Sequence, residues 1–166
     1  ATSEDDLRCV VVDILPEHIK NKKEPDLEMD FSHFEPGVGR FRVNVFMSRN
    51  APTLVFRYVK TKVPTLAELH LPPVLEKLAL TESGILITCG ATSSGKSTTM
   101  AALIDCINRQ RQCRIITVED PVEYVFTDIK SVITQREVGL DTPSFHSALR
   151  HVLRQDPDVI MIGEMR

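Results

Sequence analysis

The chain has 166 residues, 42% of them hydrophobic and 26% charged, which is ordinary for a globular protein of one domain or two small ones. A net charge of -3 and an isoelectric point near 6.0 give no global basic field, so we expect no nucleic-acid partner. No apolar run reaches the roughly 18 to 20 residues that cross a bilayer, which excludes a membrane-spanning chain.

The amino-terminal part of the chain predicts a helix followed by three antiparallel strands. Ser3 and Asp6 have a capping-box-like spacing, and the apolar period after them predicts a helix from about Glu4 to about Lys20. Pro16 should distort or split this helix. Alternating apolar and polar residues then predict three strands, around Leu27–Phe31, Phe41–Val45 and Leu54–Tyr58, with turns at Pro36-Gly37 and Asn50-Ala51-Pro52.

The alternation stops at a polar stretch from Lys60 to Pro64, which predicts a linker before a second domain. In that domain Thr65 should cap a short helix, and Pro72-Pro73 should start another. Strands and helices then alternate, which favours βαβ units and a parallel sheet. They are a buried strand Ile85–Cys89, a helix Lys96–Arg109, a strand Arg114–Glu119, an irregular piece, a helix Ser144–Gln155 and a strand Val159–Ile162.

The segment between the predicted strand Ile85–Cys89 and the predicted helix Lys96–Arg109 fits a phosphate-binding loop. It matches G-x-x-x-x-G-K-[ST] in the strand–loop–helix context that this motif requires, and a glycine-rich turn without a ligand is the alternative. Glycines let backbone N–H groups close around phosphates, the lysine faces the β and γ groups, and the serine hydroxyl binds Mg²⁺. We therefore expect ATP and Mg²⁺ as ligands. The candidate nucleotide-binding residues are Gly90, Ala91, Thr92, Ser93, Ser94, Gly95, Lys96, Ser97 and Thr98, of which Ser97 is also a candidate metal ligand.

Hydrolysis of ATP also needs acids that hold the metal ion and orient a water molecule. Glu119, Asp120 and Glu123 lie at the carboxyl end of a predicted strand, where the ligand crevice of a parallel sheet opens. Glu164 follows an apolar strand, which is the general form of a Walker B segment. The alternative for Glu119, Asp120 and Glu123 is a charged loop without a ligand. The alternative for Glu164 is a solvated residue at a strand end.

The cysteines and the chain ends give further expectations. Cys9, Cys89, Cys106 and Cys113 have no metal-ligand spacing, so we expect reduced and mostly buried thiols. The acidic start is unlike a signal peptide, which indicates a soluble intracellular protein. The chain begins without methionine and ends at Arg166 directly behind an apolar run. We therefore expect a fragment of a longer protein.

Four segments stand in an order and spacing that resemble the secretion ATPases, the motors of type II and type IV secretion and of type IV pili. They are GATSSGKSTTM, ITVEDPVEYVF, TQREVGLDT and LRQDPDVIMIGEMR. Within that family the chain is most similar to the pilus retraction, or twitching-motility, group (PilT and PilU), which FEPGVGRFRVNVF in the first domain also resembles. The stretch Leu69–Pro73 is similar to the PilU branch, which implies an accessory retraction motor.

This resemblance implies an α/β fold in which a small α+β PAS-like domain precedes a RecA-like P-loop ATPase core. Residues 1–59 would form the PAS-like domain, 60–66 the linker and 67–166 the RecA-like domain. From the same comparison we expect this sequence to lack the first hairpin of the amino-terminal domain. The His box, the last part of the core and a helical carboxyl-terminal domain should follow Arg166.

The resemblance also implies roles for single residues. Lys96 and Ser97 belong to the Walker A motif, and Glu164 ends the Walker B motif and acts on the Mg²⁺ side. Glu123 matches the catalytic glutamate of the Asp box, which polarises the attacking water. Ser93 is a departure, because the family usually has glycine there.

Three arginines of the first domain match family arginines on the face that meets the nucleotide. They are Arg40, Arg42 and Arg57, and for each of them an exposed strand arginine without a ligand is the alternative. With Glu123 and Glu164 they complete the candidate catalytic residues.

The resemblance implies an ATP-hydrolysing subunit of a hexameric ring that powers type IV pilus retraction. An assembly motor of the secretion type, or a nucleotide-binding accessory subunit with little turnover, is the alternative. The implied partners are further copies of the chain, a platform protein of the pilus in the inner membrane and a second retraction ATPase. The implied location is the cytoplasm, at the inner face of the bacterial inner membrane.

Overall fold

The computed structural model describes residues 4–20, 28–60 and 62–165. The chain divides into two compact units, of which the first ends at Val59 and the second begins at Lys60. Among the described residues, no helix has both the length and the apolar character that crossing a membrane requires.

The first unit begins with two short helices. They are α1 (Glu4–Ile14) and α2 (Glu17–Lys20). Pro16 lies between them, which confirms the predicted split, because proline lacks the N–H that a helix interior needs. The expected capping residue Ser3 lies outside the described residues.

The three predicted strands of the first unit are confirmed as an antiparallel sheet in the order β1-β2-β3. They are β1 (Glu28–Glu35), β2 (Gly39–Ser48) and β3 (Ala51–Tyr58). Phe31, Val43 and Val45 are buried on one face, where Val11 and Ile14 of α1 pack against them. Because side chains alternate between the two faces of a strand, Arg40 and Arg42 must point away from this core.

The second unit contains a parallel sheet in the order β5-β4-β6, which confirms the predicted α/β sheet. Its strands are β4 (Arg114–Glu119), β5 (Val132–Glu137) and β6 (Val159–Ile162). Its helices are α3 (Val74–Ala79), α4 (Lys96–Gln110) and α5 (Phe145–Val152).

The strand β4 has an apolar core on each of its faces. Ile115 packs with Leu103 and Ile107 of α4, whereas Ile116 packs with Ala148 and Val152 of α5. Since consecutive residues of a strand point to opposite faces, the two helices cover opposite sides of the sheet. The start of α4 lies near the carboxyl ends of the strands, where the ligand crevice of such sheets lies, because Ser97 of α4 is hydrogen-bonded to Glu123, which follows β4.

The structure differs from the sequence prediction at two strands. The segment 85–89 was expected to be a buried strand, but it pairs with no described strand, and Ile85 and Ile87 are 90% and 60% exposed. Conversely, β5 occupies part of the segment expected to be irregular. Both errors have one cause, because a strand is defined by a neighbouring strand and a local apolar pattern does not contain that neighbour.

Two smaller predictions were also wrong. Thr65 does form a capping box with Glu68, whose backbone N–H lies 3.1 Å from the Thr65 hydroxyl. However, a turn follows instead of a helix, because Pro72 and Pro73 come too soon for one to continue. The four cysteines are free, as expected, but Cys9 and Cys89 are exposed and the other two are half-buried. Cys89 shares the exposure of the unpaired segment to which it belongs.

A buried asparagine of α4 holds the segment before β5. The side-chain N–H of Asn108 donates to the carbonyl oxygen of Thr127 at 2.9 Å. Its side-chain oxygen accepts the backbone N–H groups of Ile129 at 3.0 Å and of Ser131 at 3.3 Å. The asparagine is 0% exposed, so solvent does not reach this network.

We expect Asn108→Ala to lower the free energy of unfolding by about 2–4 kcal/mol, because each buried polar group left unsatisfied costs about 1–3 kcal/mol. Urea denaturation of both proteins measures the difference. The control is Gln112→Ala, which removes an exposed amide close by and should change stability by less than about 0.5 kcal/mol. A loss below about 1 kcal/mol for Asn108→Ala would contradict this role.

Candidate nucleotide-binding site

The loop Gly90–Ser97 has a backbone that two of its glycines make possible. Gly90 and Gly95 have φ angles of 153° and 95°, a region that side chains with a Cβ atom rarely adopt. A Cβ at Gly90 would also lie 2.6 Å from the Ser94 hydroxyl oxygen. Ser93 also has a positive φ, 64°. Because this conformation is unfavourable for any residue other than glycine, Ser93 carries local strain of order 1–3 kcal/mol.

Lys96 is the first residue of α4, and its ammonium group folds back over the loop. The Nζ atom donates to the carbonyl oxygens of Gly90 at 3.0 Å and of Ala91 at 2.8 Å. The amino-terminal end of a helix carries a partial positive charge and free N–H groups. The loop, the helix end and the lysine therefore form a cationic cradle suited to phosphate groups.

The start of α4 is bonded to the loop that follows β4. The Ser97 hydroxyl donates to Glu123 Oε1 at 3.1 Å. The next residue, Thr98, shares a 3.2 Å hydrogen bond with the Tyr124 hydroxyl. The structure thus brings the candidate metal ligand Ser97 and the candidate catalytic residue Glu123 into contact.

Glu119 at the end of β4 is a buried carboxyl group, 6% exposed. Burial raises its pKa, although hydrogen bonds from Thr117 and Gln135 and the backbone N–H of Glu123 oppose this effect. Because the folded state binds this proton more strongly than the unfolded state, the group's contribution to stability falls as the pH rises from its ordinary pKa to its raised pKa.

Glu164 lies just beyond β6, at the same edge of the sheet as Glu119. The preceding Gly163 donates its N–H to the carbonyl oxygen of Val118 at 2.8 Å. A Cβ on that glycine would lie 3.3 Å from the Cα of Glu119, so the two strand ends approach closely. Glu164 is half-buried there.

The three candidate arginines lie in the first unit, on the face of its sheet opposite the core. Arg42 and Arg57 are direct cross-strand partners, and Arg40 lies two residues before Arg42 on β2. The Arg42 Nε atom is 3.6 Å from Asp30 Oδ1. The structure therefore gathers these arginines on one face of the first unit, whereas the other candidate residues belong to the second unit.

Several residues that hold the site were not singled out from the sequence. Tyr124 bonds to the start of α4, and Gln135 and Glu137 of β5 bond to the loop around Glu123. All three stand inside segments that carried the family resemblance. That was the available signal, but the bonds of Gln135 and Glu137 depend on β5, which the apolar pattern did not predict, and Tyr124 bonds to Thr98 of α4 across a long stretch of sequence.

The fold and the site define an α/β protein with a P-loop at the carboxyl edge of a parallel sheet. The family model described as Type II/IV secretion system protein matches residues 17–166. The chain belongs to this family.

Individual relatives have names that refer to type IV pili. The chain is 46% identical to the type IV pilus ATPase PilU of Pseudomonas aeruginosa over 164 residues, which are 99% of this chain and 43% of that protein. It is 42% identical to the type IV pilus retractation ATPase PilT of Pseudomonas aeruginosa over 160 residues, which are 96% of this chain and 46% of that protein.

The structure is similar to a crystal structure of the pilus retraction motor PilT with bound ADP, with a TM-score of 0.93 and 45% identity. That match covers 98% of this chain and 47% of the other chain. The chain therefore spans less than half of the length of each of these three relatives.

Proposed function

We propose that the whole protein, of which this chain is a part, binds and hydrolyses ATP and is a motor subunit that powers the retraction of type IV pili, whereas the chain by itself turns over little or no ATP. The observation that carries this proposal is the 3.1 Å contact between the Ser97 hydroxyl and Glu123 Oε1. It joins the residue that would hold a metal ion to the acid that would activate a water, directly beside the phosphate cradle.

Each part of the site has a task in this reaction. The N–H groups of the loop and Lys96 bind the β and γ phosphates and stabilise the charge that develops on them. Glu123 orients the attacking water and accepts its proton. Its side chain is exposed, so water can reach it.

The residues present fit a Mg²⁺ ion. Hydroxyl and carboxylate oxygens are hard ligands, and Mg²⁺ is usually held by one or two protein groups together with phosphates and water. Ser97 would bind it directly, and Glu164 would act from the sheet edge. No group of three or more His, Cys, Asp or Glu residues suited to a metal occurs within the described part of the chain. The ion would neutralise phosphate charge during transfer.

The two units correspond in this proposal to a PAS-like domain, residues 1–59, and a RecA-like domain, residues 67–166, with a linker at 60–66. The proposed assembly is a hexameric ring in the cytoplasm, at the inner face of the inner membrane, where a platform protein of the pilus and a second retraction ATPase are its partners. The names of the relatives, a pilus ATPase and a pilus retraction motor, support this proposal.

The open face of the first sheet has an arrangement that costs stability. Like charges directly opposite each other on neighbouring strands are destabilising by about 0.2–1 kcal/mol, and Arg42 and Arg57 are such a pair. Asp30 Oδ1, 3.6 Å from Arg42 Nε, neutralises part of this charge, and an anionic ligand shared by the arginines would offset the remaining repulsion. We therefore propose that Arg40, Arg42 and Arg57 contact the nucleotide of a neighbouring subunit in the ring, whose phosphates supply that anion.

We expect Arg57→Gln to leave the first unit as stable as before, or more stable by up to about 1 kcal/mol. Turnover by the full-length protein should nevertheless fall by about 10²-fold, the loss expected when one preorganised charge donor is removed. Urea denaturation and phosphate release measure the two effects. The control Arg154→Gln removes an exposed arginine of the second unit and should change neither. Unchanged turnover would remove Arg57 from the site.

The proposed function is tested by two assays of the full-length protein. Purified protein should release phosphate from ATP only when Mg²⁺ is present, and its gene should restore twitching in a strain from which that gene was deleted. Turnover without restored twitching, but with restored secretion or pilus assembly, would indicate an assembly motor. Binding of ATP without turnover, alone or mixed with a second motor, would indicate an accessory subunit.

A further inference from the structure

The face of the parallel sheet that is turned toward α4 changes from apolar to polar along the strands. On β4 the side chains run from Ile115 to Thr117 and Glu119, and on β5 the same positions run from Ile133 to Gln135 and Glu137. Thr117 pairs with Gln135, and Glu119 pairs with Glu137. Polar groups therefore collect at the carboxyl edge, next to the loop that carries Glu123.

The amide of Gln135 bonds to this loop at two points. Its Nε2 atom donates to the carbonyl oxygen of Tyr124 at 2.8 Å and to Glu119 Oε1 at 3.1 Å. Its oxygen accepts the backbone N–H of Phe126 at 2.9 Å. One side chain thus fixes the backbone on the carboxyl side of Glu123.

A buried carboxyl group fixes the backbone on the other side. Glu137 Oε2 accepts the N–H of Val122 at 3.1 Å, and the buried Glu119 carboxyl at the end of β4 is itself held by Gln135. Val122 and Tyr124 are buried, whereas the side chain of Glu123 is exposed between them. The position of the Glu123 carboxylate is therefore set largely by its backbone, which these side chains hold.

We propose that Gln135 is a positioning residue that holds the loop 122–126 so that Glu123 faces Ser97 and the reacting phosphate. This inference rests on the proposed function, since it gives Gln135 its effect through the acid assigned to the water. Gln135 touches neither nucleotide nor water in this role. A displacement of about 1 Å at a catalytic group can cost about 10²-fold in rate.

The test compares Gln135→Met with Gln110→Met in the full-length protein. Methionine keeps the length of glutamine and removes its hydrogen bonds. Gln110 is a matched control, because its amide bonds to Glu76 Oε1 at 2.7 Å, between α4 and α3. For Gln135→Met we expect a kcat about 10- to 100-fold lower at an unchanged dissociation constant for ATP, whereas Gln110→Met should keep the parent kcat.

Two readouts separate positioning from a general loss of folded protein. In a Glu123→Gln background, Gln135→Met should lower turnover by less than about threefold, because a residue that acts through Glu123 has little left to lose. Hydrogen exchange at the amides of Glu123 and Phe126 should become at least about tenfold faster in Gln135→Met, since Phe126 loses its acceptor. Hydrogen exchange is measured without turnover. If the parent protein is inactive, that result therefore overturns the proposed function, and the exchange experiment still tests the role of Gln135.

A kcat of Gln135→Met near that of the parent would overturn the inference, and so would an equal fractional loss with and without Glu123. If Gln135→Met does not fold, Gln135→Asn replaces it, because this variant keeps an uncharged amide but is one methylene too short to make all three bonds. It should then show a smaller loss of kcat with the same dependence on Glu123. Unchanged exchange at both amides would equally show that Gln135 does not hold the loop.

Discussion

Replacing Lys96 by alanine should raise the dissociation constant of ATP by about 10²- to 10³-fold. The reason is that the Nζ atom sits at the mouth of the loop, within 3.0 Å of the carbonyl oxygen of Gly90 and 2.8 Å of that of Ala91. Removing one partner of a desolvated charge pair costs about 2–5 kcal/mol, and each 1.4 kcal/mol is a factor of about ten in affinity. Backbone N–H groups alone would then face the phosphates.

Isothermal titration of the full-length protein with ATP and Mg²⁺ measures this effect. The control Lys130→Ala removes an exposed lysine of the same unit and should bind as the parent does. Thermal melting of both variants shows whether either loses folded protein. An affinity of Lys96→Ala within about threefold of the parent would contradict the assignment of the phosphate site.

The elements that the sequence predicted well are those with local signals. The helix α4 begins at Lys96 as expected and ends one residue later than expected, and β4 and β6 have the expected bounds. The apolar pattern of each of these elements, and the motif of the loop, are contained in short stretches of the sequence. The segment 85–89 has an equally apolar sequence, but its state depends on a neighbouring strand, and so does that of β5.

The residues of the site also divide into those with a local signal in the sequence and those that depend on distant neighbours. The glycines, Lys96 and Ser97 are read from eight consecutive residues, because the loop closes on itself. The contact between Ser97 and Glu123 joins residues 26 positions apart. The strand-end position indicated a group of three acids, and only the resemblance to a family singled out Glu123 among them. The role proposed for Gln135 was not accessible from the sequence, because two of its three bonds go to the backbone of a separate segment and the third goes to the Glu119 side chain on the neighbouring strand.

The acids Glu123 and Glu164 are expected to affect turnover without affecting binding. We expect Glu123→Gln and Glu164→Gln to keep the affinity of the full-length protein for ATP, since neither side chain is assigned to the phosphates. Glutamine keeps an oxygen that can accept the bond from Ser97, so the 3.1 Å contact should survive in Glu123→Gln. What this variant loses is the ability to accept a proton from water.

A general acid or base contributes about 10²- to 10⁴-fold to a rate, and we expect losses of this order in both variants. The loss should be larger for Glu123→Gln, because Glu123 alone is assigned to the water, whereas Glu164 shares the metal side with Ser97. Phosphate release and ATP titration of the same preparations separate chemistry from binding, with Glu82→Gln, an exposed glutamate, as the control. Near-normal turnover by Glu123→Gln would mean that another acid, with Glu119 as the nearest candidate on β4, activates the water.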